Sequence, residues 1–198
     1  MTTAPSHLSD ARLVQLARAG DVRAFERLIE RHAGLVYTIA RARLGSHEMA
    51  EDLVQEVFLR VHLNIHRLDD PHKLAPWLAR LARNLAIDWQ RRGLRRSQIV
   101  PMVSLDAQEQ PLQVPDTQTQ GVRETMEAED QRRAVQRAID RLPPDQREVV
   151  LLHYSEGMKQ VEIAERLGVR PNRVHRLLRR GLSAMRGTVE PTLREAAP

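Results

Sequence analysis

The residues with the clearest chemistry lie in and just after QVEIAERLGVRPNRVHRLLR, Gln160 to Arg179. Arg170, Asn172, Arg173, His175, Arg176, Arg179 and Arg180 gather there, and no Asp or Glu stands between Arg166 and Arg186. Arg matches the two acceptors of a guanine edge, Asn matches adenine, and both reach phosphates, so the set suits DNA recognition. A second basic set, Arg80, Arg83, Arg91, Arg92, Arg95 and Arg96, is opposed locally only by Asp88. Asp52, Gln55, Glu56 and Leu59 stand three or four apart on one helix face. An acidic face on a basic chain would repel DNA, and it points to a protein partner. His62 and His66, spaced i, i+4, could bring two imidazoles to a metal, but HExxH is absent and no third ligand is evident. Solvated or packed histidines are the expectation, with no glycine-rich phosphate loop, no nucleophile elbow and no cofactor.

Those side chains need helices to hold them. In the segment from Gln160, Ala164 is small where two helices would cross, Gly168 sits where a turn needs positive φ, and Val174 and Leu177 anchor a second helix to the first. That frame turns the basic residues outward. Upstream, Phe25, Leu28, Ile29, His32, Leu35, Val36 and Ile39 fall at steps of three and four, with Gly20-Asp21 as a start and Gly45 as a stop. Ser46 is the expected N-cap of a second helix carrying Ala50, Leu53, Val54, Val57, Phe58 and Val61. Asp69-Asp70-Pro71 interrupts the pattern, and a third helix is expected from the Lys73 to Pro76 region to about Gly93, through Leu78, Leu81, Ala82, Leu85 and Trp89. Trp77 and Trp89 are expected in the core. Periodicity resumes near Glu127 with Val135, Ala138, Ile139 and Leu142; Pro144 and Asp145 suit the first turn of another helix, and two shorter helices flank Leu167-Gly168-Val169.

Composition agrees with helices. Among 198 residues 41% are apolar but only 3% aromatic, so Leu, Val, Ile and Ala must build the core. The formal net charge of +5, carried almost wholly by Arg, makes a polyanion partner plausible. With no Cys, disulfides and thiolate chemistry are excluded, and a reducing compartment is the simple reading. No signal peptide and no apolar run near the roughly 18 residues of a membrane span is found, so a cytoplasmic protein is expected. From Ser97 to Gln120 Gln and Pro accumulate and Lys and Arg vanish, which reads as a linker whose apolar residues could lie along a partner.

In this order the motifs resemble the sigma-70 family. AEDLVQEVFLRV and WLARLARNLAIDWQRR look like the sigma-2 domain, RAVQRAIDRLPPDQREVVLLHYSEGMKQVEIAERLGV looks like sigma-4, and the short linker between them is the pattern of the extracytoplasmic-function group. The resemblance implies an all-α chain: an N-terminal extension 1–20, sigma-2 at 21–96, a linker 97–126, sigma-4 at 127–188 and a tail 189–198. It implies that Asp52, Gln55, Glu56 and Leu59 dock on core RNA polymerase. It also implies that Lys73, Arg80, Asn84, Asp88, Arg91 and Arg92 engage the minus-ten promoter element, and that the helix bearing Arg170 to Arg180 reads the minus-thirty-five element. An anti-sigma factor is expected as a further partner. Pro171, Arg173, His175 and Leu177 depart from the family pattern, so the promoter sequence read is expected to be atypical. The competing reading is a helix-turn-helix regulator that is not a polymerase subunit.

Overall fold

The computed structural model describes residues 8–99 and 122–195, with side chains over 8–92 and 131–188. The expected linker lies largely outside the described residues, as do the side chains of Arg95 and Arg96. Every regular element among the described residues is helical.

Four helices make the N-terminal half: α1 (Asp10–Arg18), α2 (Val22–Leu44), α3 (His47–Asn64) and α4 (Leu74–Ile99). The boundaries follow from caps. Asp21 accepts from the Ala24 amide and opens α2, Gly45 closes it in the left-handed region at φ 78°, and Ser46 accepts from the Met49 amide to open α3. Leu28, Leu35, Ile39, Leu53, Val57, Leu78 and Leu85 fill the shared core at no more than 2% exposure. Trp77 and Trp89 pack partly buried against it, as expected.

The sequence pattern predicts no helix before Asp21, yet α1 is folded there. Ser9 caps it, and its Leu13 and Val14 are buried. An isolated nine-residue helix is marginal in water, so α1 is held by its packing and by Asp10. The Asp10 carboxylate is 2.5 Å from Arg31 Nη1 and 2.9 Å from Nε2 of the buried His32. The hydrogen bond to His32, opposed by partial burial and joined by Arg31, pulls the Asp10 carboxyl down to about 2. A depressed acid stabilises the fold above its unfolded value, and that increment is lost as pH falls from about 4 towards 2. With the side chain still 30% exposed, screening reduces the increment to roughly 1 kcal/mol. Urea titrations at pH 5 and pH 2 should therefore show the native chain losing about 1 kcal/mol more than Asp10→Asn over that interval.

The C-terminal half contains α5 (Val122–Asp140), α6 (Pro144–Tyr154), α7 (Gln160–Leu167) and α8 (Pro171–Glu195). Helix α5 starts five residues before the expected Glu127. Its buried positions are Ala134 and Ala138, with Leu142 buried just beyond its end, whereas Val135, expected inward, is 40% exposed. Helix α8, expected short, runs 25 residues. It continues because α8 packs along α5 and α6. At Gly181 a Cβ would lie 3.0 Å from a Val150 methyl, so the glycine permits a close crossing rather than ending the helix. The two halves are in contact, α2 against α6 and α4 against α7, and one buried apolar cluster runs through both.

Candidate nucleic-acid and protein interfaces

Helices α7 and α8 form the expected helix-turn-helix. Gly168 closes α7 at φ 65°, and the Val169 amide returns to the Ala164 carbonyl at 2.9 Å, the bond that reverses the chain after a helix C-terminus. Ala164 is buried at the crossing, and Val174, on the inner side of α8, is fully buried. Leu178 rather than Leu177 is the second deep anchor, at 5% exposure; Leu177 packs half-buried at the edge. With those anchors inward, Arg170, Asn172, Arg173, His175, Arg176, Arg179 and Arg180 are all exposed. Two of them have protein partners: Arg173 Nη2 donates to Asp145 at 3.1 Å, and His175 Nδ1 lies 3.3 Å from Gln160 Oε1.

The second basic set is also presented outward. Arg80, Asn84, Asp88 and Arg91 follow at three- and four-residue steps along α4 with Arg92 beside the last, all exposed, and Lys73 is exposed at the end of the 3-10 turn Pro71–Lys73 that leads into the helix. The loop leading to that turn is fixed from α1, a role the sequence did not disclose. Arg18 Nε donates to the Ile65 carbonyl at 3.1 Å, and Arg18 Nη2 donates to the Leu68 carbonyl. Asp70 accepts from the His72 amide at 3.0 Å and starts the turn. A groove of about 460 Å3 results, lined by Arg67, Lys73, Trp77 and Arg80 on one side and Gly168 and Val169 on the other. It brings the turn that leads into α8 beside the α4 set.

Arg83 departs from its basic neighbours. It turns into the contact between the halves, where Nη2 reaches Glu148 Oε1 at 2.6 Å. The sequence carried one signal for this, a Glu set directly before the buried Val149 and Val150, but nothing local to name its partner.

A third set of exposed residues lies on α3. Asp52, Gln55 and Leu59 are exposed, and half-buried Glu56 pairs with Arg60 at 2.7 Å. Leu63 at 61% and Met49 at 39% exposure add apolar area beside Leu59, itself 56% exposed. Exposed apolar side chains among acids have the character of a protein-docking surface. His62 packs edge-on against Phe25 with ring centroids 5.1 Å apart, and among the described residues no three His, Cys, Asp or Glu side chains assemble as a metal site. Nor is any helix among them long and apolar enough to cross a membrane.

Comparison with known proteins places both halves. The Sigma-70 region 2 family matches residues 28–96, and the Sigma-70, region 4 family matches residues 132–185. The chain is 32% identical over 161 residues to the ECF RNA polymerase sigma factor SigM of Mycobacterium tuberculosis, covering 81% of this chain and 74% of that protein. It is 29% identical to SigW of Bacillus subtilis, over 87% of this chain and 92% of SigW. It is 31% identical to the probable RNA polymerase sigma factor RfaY of Xanthomonas campestris over 86% of this chain, but spans only 41% of RfaY. Among solved structures, CnrH in complex with the cytosolic domain of CnrY shares the fold, with TM-score 0.60, 22% identity and coverage of 92% of this chain and 97% of that one. The sigma factor RpoE of Bartonella quintana, in complex with the anti-sigma factor NepR, shares it at TM-score 0.60 and 19% identity, over 85% and 98% of the two chains. The separate matches to regions 2 and 4, in that order on two packed helical units, show that the chain belongs to the ECF group of the sigma-70 family.

Proposed function

We propose that the chain is a promoter-specificity subunit: it binds core RNA polymerase through the α3 face, engages the minus-ten element with α4 and the preceding loop, and reads the minus-thirty-five element with α8. The observation that carries this reading is the pairing of a helix-turn-helix with a second outward basic helix and a separate acidic and apolar face on one chain. A regulator that acts without polymerase needs only the first of these. Arg18, through the Ile65 and Leu68 carbonyls, holds the minus-ten loop in place. Catalysis belongs to the polymerase, and the site of action is the cytoplasm. A further protein partner of the anti-sigma kind fits the proposed cycle, as NepR does for the Bartonella factor.

The test is reconstitution. Core polymerase plus the chain should initiate from a duplex carrying both elements and not from one lacking the minus-ten element; tight DNA binding by the chain with no association to polymerase would reject the reading. Within that assay Arg176→Ala, at an exposed α8 position, should weaken promoter binding by about 1 to 3 kcal/mol if it reads a base. Scrambling the minus-thirty-five element should cost the native complex at least as much, measured by competition binding at fixed salt.

A further inference from the structure

Beside their apolar crossing, α7 and α8 also meet through a polar pair. Gln160 opens α7 one turn before the buried Ala164, on the same face, and is itself half-buried. His175 follows the buried Val174 on α8 and is exposed. The crossing that buries Ala164 and Val174 thus leaves these two side chains at its solvent edge, with Gln160 Oε1 3.3 Å from His175 Nδ1. An amide oxygen accepts and cannot donate. Nδ1 therefore carries the hydrogen of this bond, and the neutral ring keeps a lone pair on Nε2. The surroundings of His175 have the opposite character. Arg170, Arg173 and Arg176 line the same groove, no carboxylate lines it, and a guanidinium only donates; Asn172, also in the groove, carries both kinds of group.

We propose that Gln160 is a positioning residue that fixes His175 as a hydrogen-bond acceptor, and that His175 thereby selects, at one base pair of the minus-thirty-five element, adenine or cytosine on the strand it contacts. The inference rests on the reading of α8 as the minus-thirty-five helix and adds the class of base that one of its residues takes.

The chemistry of the major groove makes the choice sharp. Adenine and cytosine present amino hydrogens there, at N6 and N4, whereas guanine presents N7 and O6 and thymine presents O4, all acceptors. Arginine serves guanine and phosphates and has nothing to offer an amino group. A lone pair on Nε2 does the reverse: it receives an amino hydrogen, but against guanine O6 or thymine O4 it sets acceptor against acceptor and leaves both desolvated and unpaired. Phosphate oxygens are acceptors too, so the neutral ring gains nothing from the DNA backbone. The placement fits a base contact. His175 shares a face with Asn172 and Arg179 at steps of three and four, and the early residues of a recognition helix are those that reach base edges. A ring held at Nδ1 from α7 also turns its Nε2 away from α7, so Gln160 sets the direction of the lone pair as well as the tautomer.

The test is selection from a library of random duplexes by the full chain, alone and as the reconstituted polymerase holoenzyme. It is run at about pH 8, above the range in which imidazole takes up a proton. His175→Ala should flatten one position of the enriched motif and leave the others. At that position the native chain should favour adenine or cytosine over guanine or thymine by about tenfold. His175→Lys, a donor without an acceptor, should turn the same position to guanine. Gln160→Leu keeps the imidazole but frees both tautomers, and should bring that one preference most of the way to parity while the other positions hold theirs. A purely structural role for Gln160 would weaken all sequences together. If His175→Ala weakens all sequences alike, the residue contacts phosphate and the proposal is overturned. Native enrichment of guanine or thymine at the position overturns it too, and an unchanged preference in Gln160→Leu, with its helical circular dichroism retained, overturns the role of Gln160. A chain that selects the motif yet never binds polymerase would reject the sigma function and leave the base assignment standing. A holoenzyme that initiates while His175→Ala alters no position would reject the assignment and leave the function.

Discussion

Introduced together, Asp52→Arg and Gln55→Ala are expected to abolish association with core RNA polymerase while leaving the helical circular dichroism signal intact. Both positions are exposed on α3, and exposed substitutions of this kind cost the fold within about 0.5 kcal/mol. The core side of the same helix, Leu53, Val57 and Val61, is untouched. At an interface the balance differs. Reversing a charge places like against like at the site where the proposed partner supplies basic groups, a change worth several kcal/mol and hence a hundredfold or more in affinity. Neighbouring Leu59 and Leu63 would keep their apolar area, so the loss would be electrostatic in origin and partly relieved by an opposite reversal on the polymerase. Retention of full association by the double variant, measured by co-purification at fixed salt, would remove α3 from the docking surface.

Most of the framework could be read from the chain because its signals are local. Asp21, Gly45 and Ser46 act within a turn of themselves, and the helix-turn-helix follows from Ala164, Gly168 and Val174 at fixed spacing. The exposed placement of Arg170, of the six α8 positions that follow it and of the six positions proposed to meet the minus-ten element follows once the buried stripe of each helix is known. What could not be read depends on partners distant in sequence. Helix α1 is too short to announce itself by propensity and exists through Leu13, Val14 and the Asp10 contacts to α2. The length of α8 depends on its bed of α5 and α6, and the inward Val135 failed because Ala134 and Ala138 fit the closer packing against α8. Arg83 looked like one more groove-facing cation. Its partner Glu148 is 65 residues away, and no periodicity can connect them.

The same reasoning sets the largest effect expected inside the fold, at Ile163. Its side chain is fully buried in α7, within the apolar cluster that also holds Leu152, Leu167 and Val174. Ile163→Ala removes three carbons from that packing and leaves a cavity the helices cannot close, because α7 is pinned at Gly168 and α8 is stacked on α6. Substitutions of this class cost about 2 to 5 kcal/mol. A unit of this size has little more than that in reserve. The C-terminal half should therefore lose its cooperative transition near ambient temperature, while the N-terminal half, whose share of the common cluster around Leu28, Leu53 and Leu85 is far from the cavity in sequence, stays folded. Segment-resolved hydrogen exchange reads this directly: protection should vanish across α6, α7 and the start of α8 and persist in α2 and α3. Binding should then lose its dependence on the minus-thirty-five sequence but keep that on the minus-ten. Simultaneous loss of protection in both halves would show instead that the contact through Glu148 and Arg83 couples them into one cooperative unit.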